Sequence, residues 1–139
     1  MNETENTTIL ETDYLIVGCG AAGMAFADII LSETDANLII VDKFHKPGGH
    51  WNLAYPFVTL HQPSAYYGVS STQLGYDGKD EVGLNKGLQS MASGASIRAY
   101  YDDIMRYKFL PTGRVKFFPL SGYQGDGKRC SQKCFGVPQ

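Results

Sequence analysis

The sequence predicts an α/β fold in which a βαβ unit builds a parallel sheet. Two apolar runs, 14–17 and 38–41, have the length and composition of buried strands, and the stretch between them has the composition of a helix. Three glycines in GxGxxG spacing join the first strand to that helix. We expect strands at about 13–17 and 37–42 and a helix at about 21–33, with a right-handed crossover.

The turn between strand and helix suits the pyrophosphate of a dinucleotide. Gly18 allows the tight turn, Gly20 lets the backbone approach the phosphates, and Gly23 lets the helix pack closely on the strand. Unpaired N–H groups and the positive end of the dipole favour an anion at the helix start. A βαβ unit with a tight turn and no ligand is the alternative. The candidate phosphate-binding residues are Gly18, Gly20, Ala21, Ala22 and Gly23.

An acidic residue follows the second predicted strand. Asp42 lies 19 residues after Gly23, near the spacing of about 20 at which such an acid binds ribose hydroxyls. Its carboxylate accepts hydrogen bonds from an unmodified ribose and repels a 2′-phosphate. The position therefore favours FAD or NAD over NADP.

Composition excludes several classes of protein. The 139 residues suffice for one modest domain, and the hydrophobic content of 43% with 19% charged residues is typical of a globular protein. A net charge of −2 predicts no broad basic surface for nucleic acid. No apolar stretch reaches the roughly 18 residues that a membrane span needs. The polar segment 1–12 does not resemble a secretory signal, so we expect a disordered leader and a cytoplasmic protein.

Three cysteines are too few for a disulfide framework. Cys130 and Cys134 are separated by three residues and have no second ligand pair, so we expect no metal site there. Cys19 stands in the glycine turn as a small residue.

The remainder of the chain is less regular. The segment 43–96 is rich in glycine and predicts a long loop, either functional or disordered. Residues 97–109 have helical periodicity after Ser96, a candidate N-cap. A strand is expected at 115–118 and an irregular tail at 120–139. The predicted helix presents an apolar face of Ile97, Tyr101, Ile104 and Met105, flanked by Lys108.

A second group of candidate site residues follows Asp42. The pair Gly48 and Gly49 can bring backbone N–H groups near a phosphate, and Trp51 offers a flat apolar face to a ring. A single tryptophan is also a common core residue, and His61 can equally be structural. The candidate cofactor residues of this segment are Lys43, Gly49, His50, Trp51, Asn52, His61 and Gln62.

These residues resemble the flavin-dependent NAD(P)-binding oxidoreductases, particularly the flavin-containing and Baeyer–Villiger monooxygenase group. The resemblance covers residues 13–68, and the stretch 48–52 is similar to the Gly-Gly-x-Trp element of that group. It implies a Rossmann-like FAD-binding fold. The residues that carry it are Gly18, Gly20, Gly23, Asp42, Gly48, Gly49 and Trp51.

The resemblance also implies roles. Gly18–Gly23 would hold the FAD pyrophosphate and Asp42 the adenosine ribose. Gly49, Trp51 and Asn52 would lie toward the flavin, and His61 and Gln62 near the isoalloxazine ring. In the group, NAD(P)H reduces FAD and the reduced flavin uses oxygen to oxygenate a small organic substrate.

The chain also departs from the group. It has no second glycine-rich βαβ unit for NAD(P)H and no C-terminal strands that complete the FAD fold. We therefore expect 13–119 to be an incomplete FAD-binding domain, the N-terminal part of a truncated protein that is inactive alone. The alternatives are a complete small flavin or NAD enzyme that takes its remaining parts from a partner chain, and a non-catalytic dinucleotide-binding remnant or an NAD-binding module.

Overall fold

The predicted βαβ unit is present. The structure, a computed structural model, describes residues 8–125 and 130–132. Strand β1 is Tyr14–Val17, helix α1 is Ala21–Glu33 and strand β2 is Leu38–Val41. The two strands pair in parallel, residue by residue, along their whole length. The α/β class and these three elements are therefore confirmed, within one residue at each end.

The segment after β2 contains only short elements. Two 3-10 turns form at Gly49–Leu53 and Ser64–Tyr66, and a small antiparallel hairpin joins β3 (Gly68–Val69) to β4 (Thr72–Gln73). The predicted long loop at 43–96 is thus a succession of turns with little repetitive structure.

Polar contacts from α1 and from residues that follow the segment in the sequence hold it in place. Asp28 of α1 is buried and accepts hydrogen bonds from the backbone N–H of Ser71, at 3.0 Å, and from its hydroxyl. The Nζ of Lys108 lies 3.8 Å from the same carboxylate. The hydroxyl of Tyr100 accepts from the N–H of Val69 at 2.8 Å. A buried carboxylate needs such partners to offset its desolvation.

Helix α2 begins one turn earlier than predicted. It spans Gly94–Ile104 and continues as a π-helical turn at Met105–Phe109. Its N-cap is Ser93, whose Oγ accepts from the N–H of Ser96 at 3.1 Å, so the assignment of Ser96 as N-cap is wrong. Two serines three residues apart can both cap a helix. At this earlier start the N–H of Gly94 donates to the carbonyl of Val58 at 2.8 Å, and Gly94 lies beside the Trp51 ring.

The apolar face predicted for α2 is confirmed. Ile97, Tyr101, Ile104 and Met105 are each at most 3% exposed and belong to one core with residues of the sheet and of the long loop. No helix in the described part of the chain has the length and apolar composition that a membrane span requires.

Strand β5 (Val115–Phe118) confirms the last predicted strand and completes the sheet. It pairs in parallel with β2, so the strand order is β1-β2-β5 with β2 in the centre. All four residues of β2 are buried. A continuous apolar run is what a central parallel strand requires, because both of its faces are covered.

The prediction of an irregular segment at 120–139 has to be corrected. Strands β6 (Ser121–Tyr123) and β7 (Cys130–Gln132) form a short antiparallel pair. Their sequences lack the apolar alternation that predicts strands, and backbone pairing alone defines them. Residues 1–7 of the predicted leader, and Cys134, lie outside the described residues.

A close contact joins α1 to the end of β1. Gly18 has a φ of +102°, which favours glycine. A Cβ atom on Gly23 would lie 2.1 Å from the carbonyl oxygen of Gly18 and 3.3 Å from Cγ2 of Ile16. The predicted reasons for glycine at positions 18 and 23 are therefore confirmed: one makes the turn, and the other lets helix and strand touch.

We predict that Gly23→Ala destabilises the fold. The added methyl group must displace backbone, so the free energy of unfolding should fall by about 1–3 kcal/mol or more. Urea denaturation followed by circular dichroism measures the change. Gly122→Ala is the matched control, because a Cβ there meets no atom within 4 Å. Equal stability of the two variants would contradict the close contact.

Candidate functional site

The glycine turn after β1 leads directly into the N-terminus of α1. The N–H of Gly18 donates to the carbonyl of Val41 at 2.8 Å, which anchors the turn to β2. Gly20 is the N-cap and offers no side chain to the helix, and its carbonyl accepts from Met24 at 2.9 Å. The N–H groups of the first helical turn therefore have neither an intrahelical acceptor nor a side-chain cap. Such groups bind anions.

A second glycine turn packs against the first. The N–H of Gly48 donates to the carbonyl of Cys19 at 2.9 Å. Gly48 and Gly49 have φ values of +124° and +56°. A Cβ on Gly49 would lie 2.9 Å from the Cα of Gly20. Two stretches of backbone thus meet at the start of α1, at a distance that side chains would prevent.

Asn52 supports the second turn from within. Its Nδ2 donates to the carbonyls of Lys46, at 3.1 Å, and Gly49, at 3.2 Å. One amide group therefore ties both ends of the Gly48–Gly49 turn together. The sequence nominated Asn52 as a cofactor contact, whereas the structure gives its amide a role in holding the turn.

Asp42 lies at the carboxyl end of β2 and faces the glycine turn. It is only 5% exposed. Oδ2 accepts from the N–H of Cys19 at 2.5 Å, and Oδ1 accepts from the N–H of Phe44 at 2.7 Å. A carboxylate oxygen has two lone pairs, so each oxygen can accept one more hydrogen bond. The acid predicted for a ribose is therefore also a clamp that joins the glycine turn after β1 to the segment that follows β2.

Trp51 is packed inside the protein. It is 6% exposed, and its Nε1 donates to the hydroxyl of Tyr67 at 2.9 Å. The imidazole of His50 lies 5.1 Å from the Trp51 ring and is exposed. The tryptophan face that was expected to meet a cofactor ring is mostly covered by protein, and the exposed ring beside it is that of His50.

The remaining nominated residues are dispersed. Lys43 is exposed, with its Nζ 5.2 Å from the centre of the Phe44 ring. His61 and Gln62 are exposed in a turn well beyond the Gly48–Gly49 turn in sequence. The structure thus brings together the glycines, Asp42 and Asn52, and records no contact that joins His61 or Gln62 to them.

Gly48 forms the second turn together with Gly49, as the Gly-Gly pair in the sequence indicated. One residue beside this turn was not nominated from the sequence. Arg98 of α2 donates from Nη1 to the carbonyl of Trp51 at 3.2 Å. Its Cγ would lie 3.9 Å from a Cβ on Gly48, so a cation stands beside the second turn. Arg98 is 47 residues from Trp51 in sequence, and no local signal predicts the contact.

Cys19 does not have the environment of a reactive thiol. Its side chain is fully buried, and Sγ lies 3.2 Å from Sδ of Met24. Burial, with the negative charge of Asp42 added, raises the pKa of the Cys19 thiol far above its ordinary value. A neutral thiol is a poor nucleophile. The residue fills space behind the turn.

One buried hydroxyl lies near the site. Tyr101 is fully buried, and its hydroxyl has no hydrogen-bond partner among the described residues. Its ring centre is 6.3 Å from that of Tyr67, which accepts the bond from Trp51. Burial, and then the neighbouring Tyr67, raise the pKa of Tyr101. The phenol is neutral at physiological pH.

Sequence comparison identifies relatives without an assigned activity. Uncharacterized proteins of Mycobacterium bovis and Mycobacterium tuberculosis are 53% identical to this chain over 119 residues. The match covers 86% of this chain and 22% of each relative. The chain therefore spans about a fifth of the length of the curated relatives it matches. No protein-family model matches the sequence.

Structure comparison finds flavin monooxygenases. A flavin-containing monooxygenase from Stenotrophomonas maltophilia aligns with a TM-score of 0.54 at 19% identity, over 76% of this chain and 28% of that chain. Cyclohexanone monooxygenase in an open crystal structure aligns with a TM-score of 0.53 at 20% identity, over 80% and 20% of the two chains. At such identities the likeness shows a shared fold. It agrees with the structural part of the resemblance in the sequence.

We predict that Asp42→Ala lowers the free energy of unfolding by about 1–3 kcal/mol, because two backbone N–H groups lose their acceptor inside the protein. Urea denaturation measures the loss. Asp35→Ala is the control. Asp35 is exposed in the connection between α1 and β2, so its replacement should change stability little. Asp42→Asn retains one acceptor and should lie between the two. A stability equal to wild type for Asp42→Ala would show that the clamp is not formed.

We also predict that Cys19 resists thiol reagents. In a Cys130→Ser, Cys134→Ser background, Cys19 is the remaining thiol, and its raised pKa keeps it protonated at pH 8. The folded protein should not react with a chromogenic disulfide at pH 7 or at pH 9, and reaction should occur only after urea unfolding. Rapid modification of the folded protein would contradict the burial of this thiol.

Proposed function

We propose that this chain binds the pyrophosphate and adenosine ribose of FAD, as part of a flavin-dependent NAD(P)H oxidoreductase of the monooxygenase type. Two independent observations support the proposal. One is the geometry around the start of α1, and the other is the fold shared with flavin monooxygenases. The complete protein, and not this chain alone, would determine the reductant and the small organic substrate.

The contact between Gly20 and Gly49 carries the proposal. Two glycine turns meet at the N-terminus of α1, where uncapped N–H groups and the helix dipole favour an anion. Parallel α/β sheets bind ligands at the carboxyl ends of their strands, and both turns lie there. A diphosphate is the part of a dinucleotide that suits a surface of backbone N–H groups without side chains.

Asp42 would hold the ribose with its remaining lone pairs. Its oxygens are already oriented by the N–H groups of Cys19 and Phe44, so little entropy is lost when a hydroxyl group binds. The negative charge opposes a 2′-phosphate at this position, which favours FAD or NAD. Lys43, which follows Asp42 in the chain, and Arg98, which lies beside the second turn, would offset the charge of the diphosphate.

The flavin half of the cofactor would lie toward Gly49, His50, Trp51 and Asn52. Flavin, when bound, supplies two-electron transfer from NAD(P)H and the activation of oxygen. The chain's own contribution is to bind and orient. Asn52 fixes the turn, His50 presents an exposed ring, and the Trp51–Tyr67 pair forms a rigid base beneath it. His61 and Gln62 remain candidate flavin contacts.

The chain matches only about a fifth of the length of its relatives. We therefore propose that catalysis also requires the rest of such a protein, supplied in cis or by a partner chain. Turnover of NADPH with oxygenation of a substrate by these 139 residues alone should be undetectable. A non-catalytic dinucleotide-binding module is the second candidate, favoured by the same Asp42. A purified protein that retains a yellow flavin absorbance bleached by NADH supports the oxidoreductase.

We predict that Gly20→Val weakens FAD binding by more than about 1.4 kcal/mol, a factor of ten in Kd, because the branched side chain fills the place of the diphosphate. Titration calorimetry with FAD, ADP and NAD measures the loss and identifies the preferred ligand. Gly122→Val, in open space on β6, is the matched control and should bind as wild type does. Unchanged affinity of Gly20→Val, with an unchanged urea midpoint, would rule out the turn as the binding site.

A further inference from the structure

A row of aromatic rings leads through the core from the second glycine turn to a surface cleft beside α2. The ring centre of His50 lies 5.1 Å from that of Trp51, and Trp51 lies 6.4 Å from Tyr67. Tyr101 follows at 6.3 Å from Tyr67, and Tyr100 at 5.1 Å from Tyr101. Each ring is therefore a direct neighbour of the next.

The row reaches the surface at both ends and is buried between them. At one end Trp51 is beside the exposed ring of His50, in the second glycine turn. At the other end Tyr100 lines the cleft, together with Thr72 and Tyr107. The ring of Tyr101, between the two ends, is fully buried. The row thus connects the candidate flavin side of the site to solvent at a separate place.

Hydroxyl groups stand where phenylalanine rings would pack equally well. The hydroxyl of Tyr67 accepts from Nε1 of Trp51, and that of Tyr100 accepts from the N–H of Val69. The hydroxyl of Tyr101 has no hydrogen-bond partner within the described part of the chain. Such a buried group is unfavourable for folding, and a redox role is one of the few explanations for it. A phenol loses an electron far more easily than a benzene ring, because the oxygen donates electron density into the ring.

We propose that this aromatic row transfers single electrons from the cleft to the second glycine turn and so repairs oxidative damage there. Its members are Trp51, Tyr67, Tyr101 and Tyr100. The inference rests on the proposed function only for the source of the oxidant, an oxygen-derived radical released at a site that activates oxygen. Protein groups around a redox cofactor have to suppress such competing reactions.

The electrons and protons of the transfer balance. The oxygen-derived radical takes one electron from Trp51 and is reduced by it. Electrons then move from tyrosine to tyrosine along the row, until the electron is missing from Tyr100. Tyr100 gives its hydroxyl proton to water in the cleft. A soluble reductant of the thiol or ascorbate class returns one electron to Tyr100, and water returns the proton.

The environments of the two inner tyrosines give the transfer its direction. Burial, and then the neighbouring Tyr67, raise the pKa of Tyr101, and its hydroxyl has no acceptor for a proton. An oxidised Tyr101 therefore keeps its proton, which makes this state unfavourable, and it takes an electron from Tyr100. The hydroxyl of Tyr100 donates to the carbonyl of Thr72, which lines the cleft. Its proton has a route to water.

Pulse radiolysis of this chain without flavin tests the first step. The azide radical takes one electron from indole in preference to phenol, and Trp51 is the only tryptophan of the sequence. The absorbance of the Trp51 radical should decay while that of a tyrosyl radical grows, at one first-order rate for every protein concentration. In Tyr67→Phe this rate should fall at least about tenfold. Tyr66→Phe removes an exposed neighbouring phenol and should leave the rate unchanged.

Tyr101→Phe tests the passage through the core. It removes a hydroxyl group without a partner and keeps the ring, so the free energy of unfolding should not fall. Azide radicals are generated steadily with ascorbate present, and peptide mass spectrometry measures the oxidation products of Trp51. These products should increase at least about threefold over wild type in Tyr101→Phe, because electrons from the cleft no longer reach Trp51.

Three outcomes overturn the proposal. They are a decay of the Trp51 radical that depends on protein concentration, an unchanged rate in folded Tyr67→Phe, and equal oxidation of Trp51 in Tyr101→Phe and wild type. Tyr67→Phe leaves Nε1 of Trp51 without its acceptor, so its urea midpoint is measured as well. If that variant does not fold, Tyr101→Phe decides. Neither measurement uses flavin, so a chain that transfers electrons without binding FAD contradicts the proposed function alone.

Discussion

The contact between the backbone of α1 and the turn after β1 sets the position of every other part of the site. Because Gly23 has no side chain, the first turn of the helix lies against the carbonyl of Gly18, directly above the end of β1. The uncapped N-terminus is thereby held at the edge of the sheet. The second glycine turn then docks onto Gly20. A Cβ on Gly23 or on Gly49 would lie 2.1 Å or 2.9 Å from backbone atoms, so a methyl group at either position would separate these backbones.

Asp42 links this backbone arrangement to the sheet. Its carboxylate accepts from the N–H of Cys19 in the first turn and from the N–H of Phe44 after β2, so one buried carboxylate holds both segments. The desolvation of a carboxylate is unfavourable, and hydrogen bonds from two amides offset it. In the function that we propose, the same residue also binds a sugar. Stability and binding would then both depend on this side chain, and measuring unfolding and ligand titration together separates its two contributions.

The long segment between β2 and α2 shows how a chain with little repetitive structure is kept in one conformation. Asp28 holds the turn at Ser71, and Tyr100 accepts from Val69. Arg98 reaches the carbonyl of Trp51 from α2. Each of these contacts joins residues more than 30 positions apart. Helix α1 precedes this segment in the sequence and helix α2 follows it, and both therefore support the candidate flavin side of the site.

By itself the sequence determined the βαβ unit, the last strand of the sheet, the apolar face of α2 and the glycines of the first turn. These features depend on local periodicity and on backbone conformations that few residues other than glycine adopt. Tertiary structure decided the start of α2, because two serines could cap it and only the fold shows that Ser93 does, directly before the bond from Gly94 to the carbonyl of Val58. It also decided that Trp51 is a core residue, that Arg98 stands beside the second turn and that Asp42 is a clamp. Such contacts depend on which distant segments meet in space, and local patterns of residues do not predict which segments those are.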